Sequence, residues 1–169
     1  MPLSYNADMD KASLSSVQLV ANRLLEYQQK VCTAESCTGG LIAKTFTDLA
    51  GSSDWFERGF VTYSNDAKNE MLAVPAPLIE DYGAVSEAVA TAMASGALRH
   101  SKADYSIAVT GVAGPGGGSD DKPVGTVWIA VASAEQMVAR RYQFDGDRQA
   151  VRVATMQTAL ELLLDLVST

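Results

Sequence analysis

Apolar residues recur at helical spacing from about Leu14 to Gln29, where Leu14, Val17, Val20, Ala21, Leu24 and Leu25 fall on one face and Ser13 can cap the start. The period then changes. KVCTAES reads as a short buried strand, CTGG as a tight turn, and LIAKTFTDLA returns to helical spacing. After the break at GSSDW, FERGFVTYS alternates and is rich in β-formers, which predicts a second strand. NDAKNEML makes a short helix capped by Ser64 or Asn65, and Pro75 and Pro77 stop it. An alanine-rich helix runs from Ser86 to His100, followed by the apolar strand DYSIAVTG and the loop VAGPGGGSDDKPVG. GTVWIAVAS and MVARRYQF, separated by the turn-like AEQ, form a hairpin. The segment from Asp147 to Val167 is a last helix, with Val151, Ala154, Leu160, Leu163, Leu164 and Val167 facing inward.

Helices and strands mix throughout, with at least one antiparallel strand pair. This predicts an α/β fold: a single three-layer α/β/α domain with a mixed β-sheet. The first dozen residues are polar and without period, so residues 1–12 are expected to be a flexible N-terminal tail and residues 13–169 the domain. A chain of 169 residues is the size of one domain at roughly 150 residues each.

Composition narrows the chemistry. The chain has one histidine, His100, and two cysteines, Cys32 and Cys37, at a spacing that matches no zinc or dithiol motif. Metal and dithiol chemistry are therefore disfavoured, and free thiols suit a cytoplasmic protein. A net charge of −7 removes the long-range attraction that a nucleic-acid or anionic-membrane binder uses. No apolar run approaches the roughly 18 residues of a membrane span, and the start has no signal-peptide pattern.

Three loops stand at strand ends: AESCTGG, TYSNDAK and TGVAGPGGG. Open α/β sheets collect ligands at the carboxyl ends of their strands, so the three are expected to share one crevice. In the first, Ser36 precedes a helix whose early N–H groups stabilise anions, and Gly39 and Gly40 let a ligand approach the backbone. Ser36 is either a nucleophile beside its own oxyanion hole or, with Thr38, an ordinary N-cap, which is the commoner role.

A nucleophilic serine needs a base. His100 ends a helix in the charged context RHSKAD, where it fits a surface or dipole-complementing role. Lysine remains, and Lys68, one turn into the helix after Tyr63, can face the same crevice. Deprotonating a lysine of ordinary pKa at pH 7 costs roughly 4.6 kcal/mol, which burial or a neighbouring cation would have to supply. Tyr63 could relay the proton or hold the amine. The alternative is an exposed helix lysine.

The third loop carries five glycines between Thr110 and Gly118 but is neither a Walker loop nor a dinucleotide fingerprint, so it is an anion-wrapping backbone or a flexible connection. Arg148 opens the last helix, where a cation opposes the helix dipole. It contacts a phosphate or pairs with Asp145 or Asp147, and Arg152, one turn on, could share its role.

Taken together, TAESCTGG, GFVTYSNDAK, YGAVSEAVA, AVTGVAGPGGG with KPVGTVWIAV, and GDRQAVR resemble the CinA C-terminal domain family, the nicotinamide-nucleotide amidohydrolases, over roughly Leu14 to Val167. The resemblance is to the stand-alone form of the domain. It implies hydrolysis of the carboxamide of nicotinamide mononucleotide to nicotinate mononucleotide and ammonia, in pyridine-nucleotide salvage, without metal or organic cofactor. It further implies Ser36 as nucleophile, with Tyr63 and Lys68 as activating partners. Cys37, Thr38, Gly39, Gly40, Thr110, Gly111, Gly114, Gly116 and Gly117 would line the substrate site, and Arg148 would contact the phosphate. A homodimer or larger homo-oligomer is expected. The alternative function is a non-catalytic nucleotide-binding regulatory module on the same fold.

Overall fold

The computed structural model describes the backbone of residues 7–169 and the side chains of residues 15–169. In chain order the elements are α1 (Ala7–Glu26), β1 (Val31–Glu35), α2 (Leu41–Thr47), a 3-10 turn (Ser52–Asp54), β2 (Phe56–Val61), α3 (Asn65–Leu72), α4 (Ala76–Tyr82), α5 (Glu87–Arg99), β3 (Tyr105–Gly111), β4 (Thr126–Ser133), β5 (Met137–Gln143) and α6 (Arg148–Val167). The strands form one sheet in the order β2-β1-β3-β4-β5. Strand β1 pairs in parallel with β2 and β3, whereas β4 is antiparallel to both β3 and β5. This is the mixed sheet of a three-layer α/β/α domain.

Strand alternation sorts the two faces. Val31, Ile107, Val109, Val127, Ile129 and Val131 join the core beneath α1, α2 and α6. The intervening Cys32, Ala34, Ala108, Ala130 and Ala132 face α3, α4 and α5. Small side chains on the sheet meet Ala90, Ala94 and Ala97 of α5, so that helix packs close to the strands. The approach extends sideways to α3. A Cβ added at Gly96 would overlap the carbonyl oxygen of Leu72, at the end of that helix.

Four features differ from expectation. Helix α1 begins at Ala7, so Ser13 lies inside the helix and not at its cap; residues 1–6 of the expected tail lie outside the described residues. Leu25, on the expected apolar face, is exposed. Helix α4 had no sequence signal, because PAPLIEDY is short and opens with prolines. On α6, Ala154 and Leu164 are only half-buried, while Val153, Leu162 and Leu166 are buried, which rotates the inward stripe.

The topology places the site. From β1 the chain passes to β2 on one side and later to β3 on the other. That reversal leaves a crevice beyond the carboxyl ends of the central strands, where side-chain-bearing loops can converge.

The Gly96–Leu72 contact makes a test of how tightly α5 is held. Gly96→Ala is expected to lose about 2 kcal/mol through overpacking against backbone that has little room to move, seen as a fall of roughly 4–8 °C in thermal unfolding. An unchanged melting temperature would show that the two helices can separate freely.

Candidate active site

A cavity of about 210 Å³ opens at the carboxyl ends of β1, β2 and β3. Ser36 and Cys37 come to it from the turn after β1, and Tyr63, Asn65 and Lys68 from the junction of β2 and α3. Thr110, Gly111 and Ala113 follow from the end of β3, Ala84 and Val85 precede α5, and Arg148 starts α6. The three loops singled out from the sequence therefore meet.

Lys68 owes its position to local rules. Ser64 caps α3, its hydroxyl accepting from the Ala67 N–H at 3.0 Å. One turn in, Lys68 turns inward and is 1% exposed. Its Nζ stands 3.0 Å from Ser36 Oγ, 3.0 Å from the Thr62 carbonyl and 3.3 Å from the Tyr63 carbonyl. No carboxylate among the described residues pairs with it. A neutral amine has two N–H donors and one lone pair. Two carbonyls and one hydroxyl satisfy that count when Ser36 donates to the lone pair, and they equally satisfy an ammonium whose three N–H groups donate to all three oxygens.

Burial pushes the Lys68 pKa below the ordinary value of 10.5. A Cys37 thiolate would oppose this, but burial raises that thiol to about 12, so it is neutral and exerts no such pull at pH 7. Cys32 is likewise raised, to about 11. Both cysteines are free and buried.

The turn that carries Ser36 is built differently from expectation. Glu35, 1% exposed, accepts from Thr38 Oγ1 at 2.7 Å, the Ile42 N–H at 2.8 Å and the Ala43 N–H at 3.1 Å. The start of α2 is thus occupied by the protein's own carboxylate and is not open to a substrate oxyanion. Thr38 is fully buried, its hydroxyl committed to Glu35. Gly39 (φ 59°) and Gly40 (φ 103°) supply the left-handed backbone of the turn and do not line the cavity.

Tyr63 also takes an altered place. Its carbonyl holds the Lys68 amine, while its side chain is 60% exposed and its hydroxyl accepts from Arg148 Nη2 at 3.0 Å. Arg148 Nη1 donates to the Gly114 carbonyl at 2.8 Å, so this guanidinium joins the β2–α3 and β3–β4 loops to α6 instead of pairing with Asp145 or Asp147. Thr110 lines the cavity and donates to the Ala84 carbonyl at 2.9 Å. Gly111 lines it as well, whereas Gly116 and Gly117 lie exposed, further along the loop. A second cavity of about 610 Å³, bordered by Pro115, Val124 and Arg152, shares Ala113 and Arg148 with the first.

Arg152 does not reach the first cavity. Its Nε donates to the Cys37 carbonyl at 3.3 Å and its Nη2 to the Thr38 carbonyl at 2.9 Å. His100 caps the end of α5, with Nδ1 2.8 Å from the Gly96 carbonyl. Among the described residues no group of three or more His, Cys, Asp or Glu stands together to hold a metal, and no helix is long and apolar enough to cross a membrane. Sequence reasoning missed Glu35, Asn65, Ala84, Val85 and Ala113.

The CinA C-terminal domain model matches residues 14–167. The nicotinamide-nucleotide amidohydrolase PncC of Escherichia coli K12 is 56% identical over 134 residues, 79% of this chain and 81% of that protein. The Pseudomonas putida protein of the same name is 49% identical over 158 residues, 94% of this chain and 98% of that one. Among solved structures, the competence/damage inducible protein CihA from Agrobacterium tumefaciens superposes with a TM-score of 0.90 at 43% identity, covering 94% of this chain and 96% of the other. With a family match across nearly its whole length and relatives this similar, the chain belongs to the CinA C-terminal domain family.

Proposed function

We propose that this protein hydrolyses the carboxamide of nicotinamide mononucleotide to nicotinate mononucleotide and ammonia, through an acyl-enzyme on Ser36, in pyridine-nucleotide salvage. The observation that carries the reading is the buried Lys68 amine, 3.0 Å from Ser36 Oγ and without a carboxylate partner. Relatives named as nicotinamide-nucleotide amidohydrolases support the substrate.

Neutral Lys68 takes the Ser36 proton as Oγ bonds to the carboxamide carbon. The pyridinium ring makes that carbon more electrophilic, and its positive charge near Nζ further favours the neutral amine. Lys68 then gives its proton to the departing nitrogen, which leaves as ammonia, and an ester to Ser36 remains. Water attacks this ester, its proton passing to Lys68 and then to Ser36 Oγ, and nicotinate mononucleotide is released. The Tyr63 main chain holds the amine, and its side chain acts with Arg148 at the mouth, where the guanidinium meets the substrate phosphate.

Ser36→Ala and Lys68→Met are each expected to cut ammonia release at least about 10³-fold while thermal unfolding still shows a cooperative transition. Activity retained in either protein would remove that residue from the chemistry. Because the base must be neutral and burial lowers its pKa, kcat/KM should rise with pH through an inflection below the 10.5 of free lysine. A profile flat across that range would contradict a lysine base. Arg148→Gln should raise KM for the mononucleotide about tenfold or more and leave nicotinamide riboside unaffected. An equal effect on both substrates would separate Arg148 from the phosphate.

A further inference from the structure

The turn around Ser36 is gripped from two sides, by an anion and by a cation. Glu35 holds its far end through Thr38 Oγ1 and the first amides of α2, while Arg152 reaches across from α6 to the carbonyls of Cys37 and Thr38. The Arg152 fork is itself steadied by Nη1 donating to Gln149 Oε1 at 3.1 Å. An arginine so near the start of α6 opposes the helix dipole, and the two carbonyls compensate it.

Peptide geometry then fixes where the amides go. In a trans planar unit the C=O and N–H point in opposite directions. The Cys37 carbonyl faces Arg152, so the Thr38 N–H, in the same unit, faces away from α6. The Ser36 carbonyl accepts from the Gly39 N–H at 3.0 Å, so the Cys37 N–H is turned out of the turn. Neither the Cys37 nor the Thr38 N–H donates to another described residue, and Cys37 borders the cavity beside Ser36. The Cys37 N–H is thus the backbone donor left beside Ser36, whereas Thr38 is fully buried away from the cavity and the Ile42 and Ala43 amides are taken by Glu35.

We propose that Arg152 is a positioning residue: by holding the Thr38 carbonyl it keeps the Gly39 N–H on the Ser36 carbonyl, and so aims the Cys37 amide, in the same unit as that carbonyl, as a donor to the oxyanion that forms when Ser36 attacks. This rests on the reading of Ser36 as the nucleophile. Arg152 acts through the main chain and does not itself touch the reacting atoms.

The test is Arg152→Met, which keeps the aliphatic length but cannot hold a carbonyl, assayed with nicotinamide mononucleotide and its thiocarboxamide analogue. The expected result is a loss in kcat of about 10²-fold, the scale for a misplaced oxyanion donor, with KM and the Kd for nicotinate mononucleotide within about threefold of the unaltered protein. Sulfur accepts hydrogen bonds from N–H weakly, so the unaltered protein should prefer the carboxamide to the thiocarboxamide, and the variant should lose much of that preference. Arg152→Lys, which reaches one carbonyl but not two, should fall between and serves if the methionine variant does not fold. A raised KM and Kd with unchanged kcat would make Arg152 a substrate contact and overturn the inference, as would an unchanged thiocarboxamide ratio. An unaltered protein that binds the mononucleotide and releases no ammonia would overturn the Ser36 reading itself, an outcome seen before any variant is made.

Discussion

A lysine buried without a carboxylate is an unstable arrangement unless its proton can leave, and the structure around Lys68 is arranged on that condition. Its amine is sealed from water and faces two main-chain carbonyls and one serine hydroxyl, with no anion among the described residues to fix it in the charged form. The carbonyls favour the protonated amine and desolvation disfavours it. Desolvation wins, since the pKa is lowered. In a protein with one histidine, placed at a helix end, this lysine is the amine within hydrogen-bond distance of Ser36 Oγ.

The rest of the fold can be read as support for that pair. Parallel pairing of β1 with β2 brings Ser36 and the Thr62–Tyr63 carbonyls to the same edge of the sheet, and the Thr62 N–H donates to the Glu35 carbonyl to lock their register. The Ser64 cap sets the phase of α3 so that its fourth residue points inward. Alanines on α5 let that helix, and the α4–α5 turn with it, approach close enough to close the cavity with Ala84 and Val85. Arg148 and Arg152 tie α6 to the loops of three strands.

Much of this was legible because it depends on local pattern. Ser36 and Lys68 stand at strand-to-helix junctions marked by small residues and a cap, and the one-histidine composition left lysine as the base. The tertiary partners were not legible. Glu35 and Arg152 belong to residue types that mostly face water, and nothing in ESCTGG or RQAVR says that one closes a helix end or that the other reaches across the sheet. For the same reason the sequence points to the start of α2 for oxyanion donors, where Glu35 instead takes the Ile42 and Ala43 amides. Helix α4 escaped because seven residues after a proline show too little period.

Nuclear magnetic resonance of the labelled lysine Nζ and Cε reads the protonation state of Lys68 across the pH range in which Ser36 would react. Lys68 is expected to titrate below the 10.5 of an ordinary lysine, at the same pH as the rise in kcat/KM. A Lys68 that holds its proton to 10.5 or beyond would rule it out as the base.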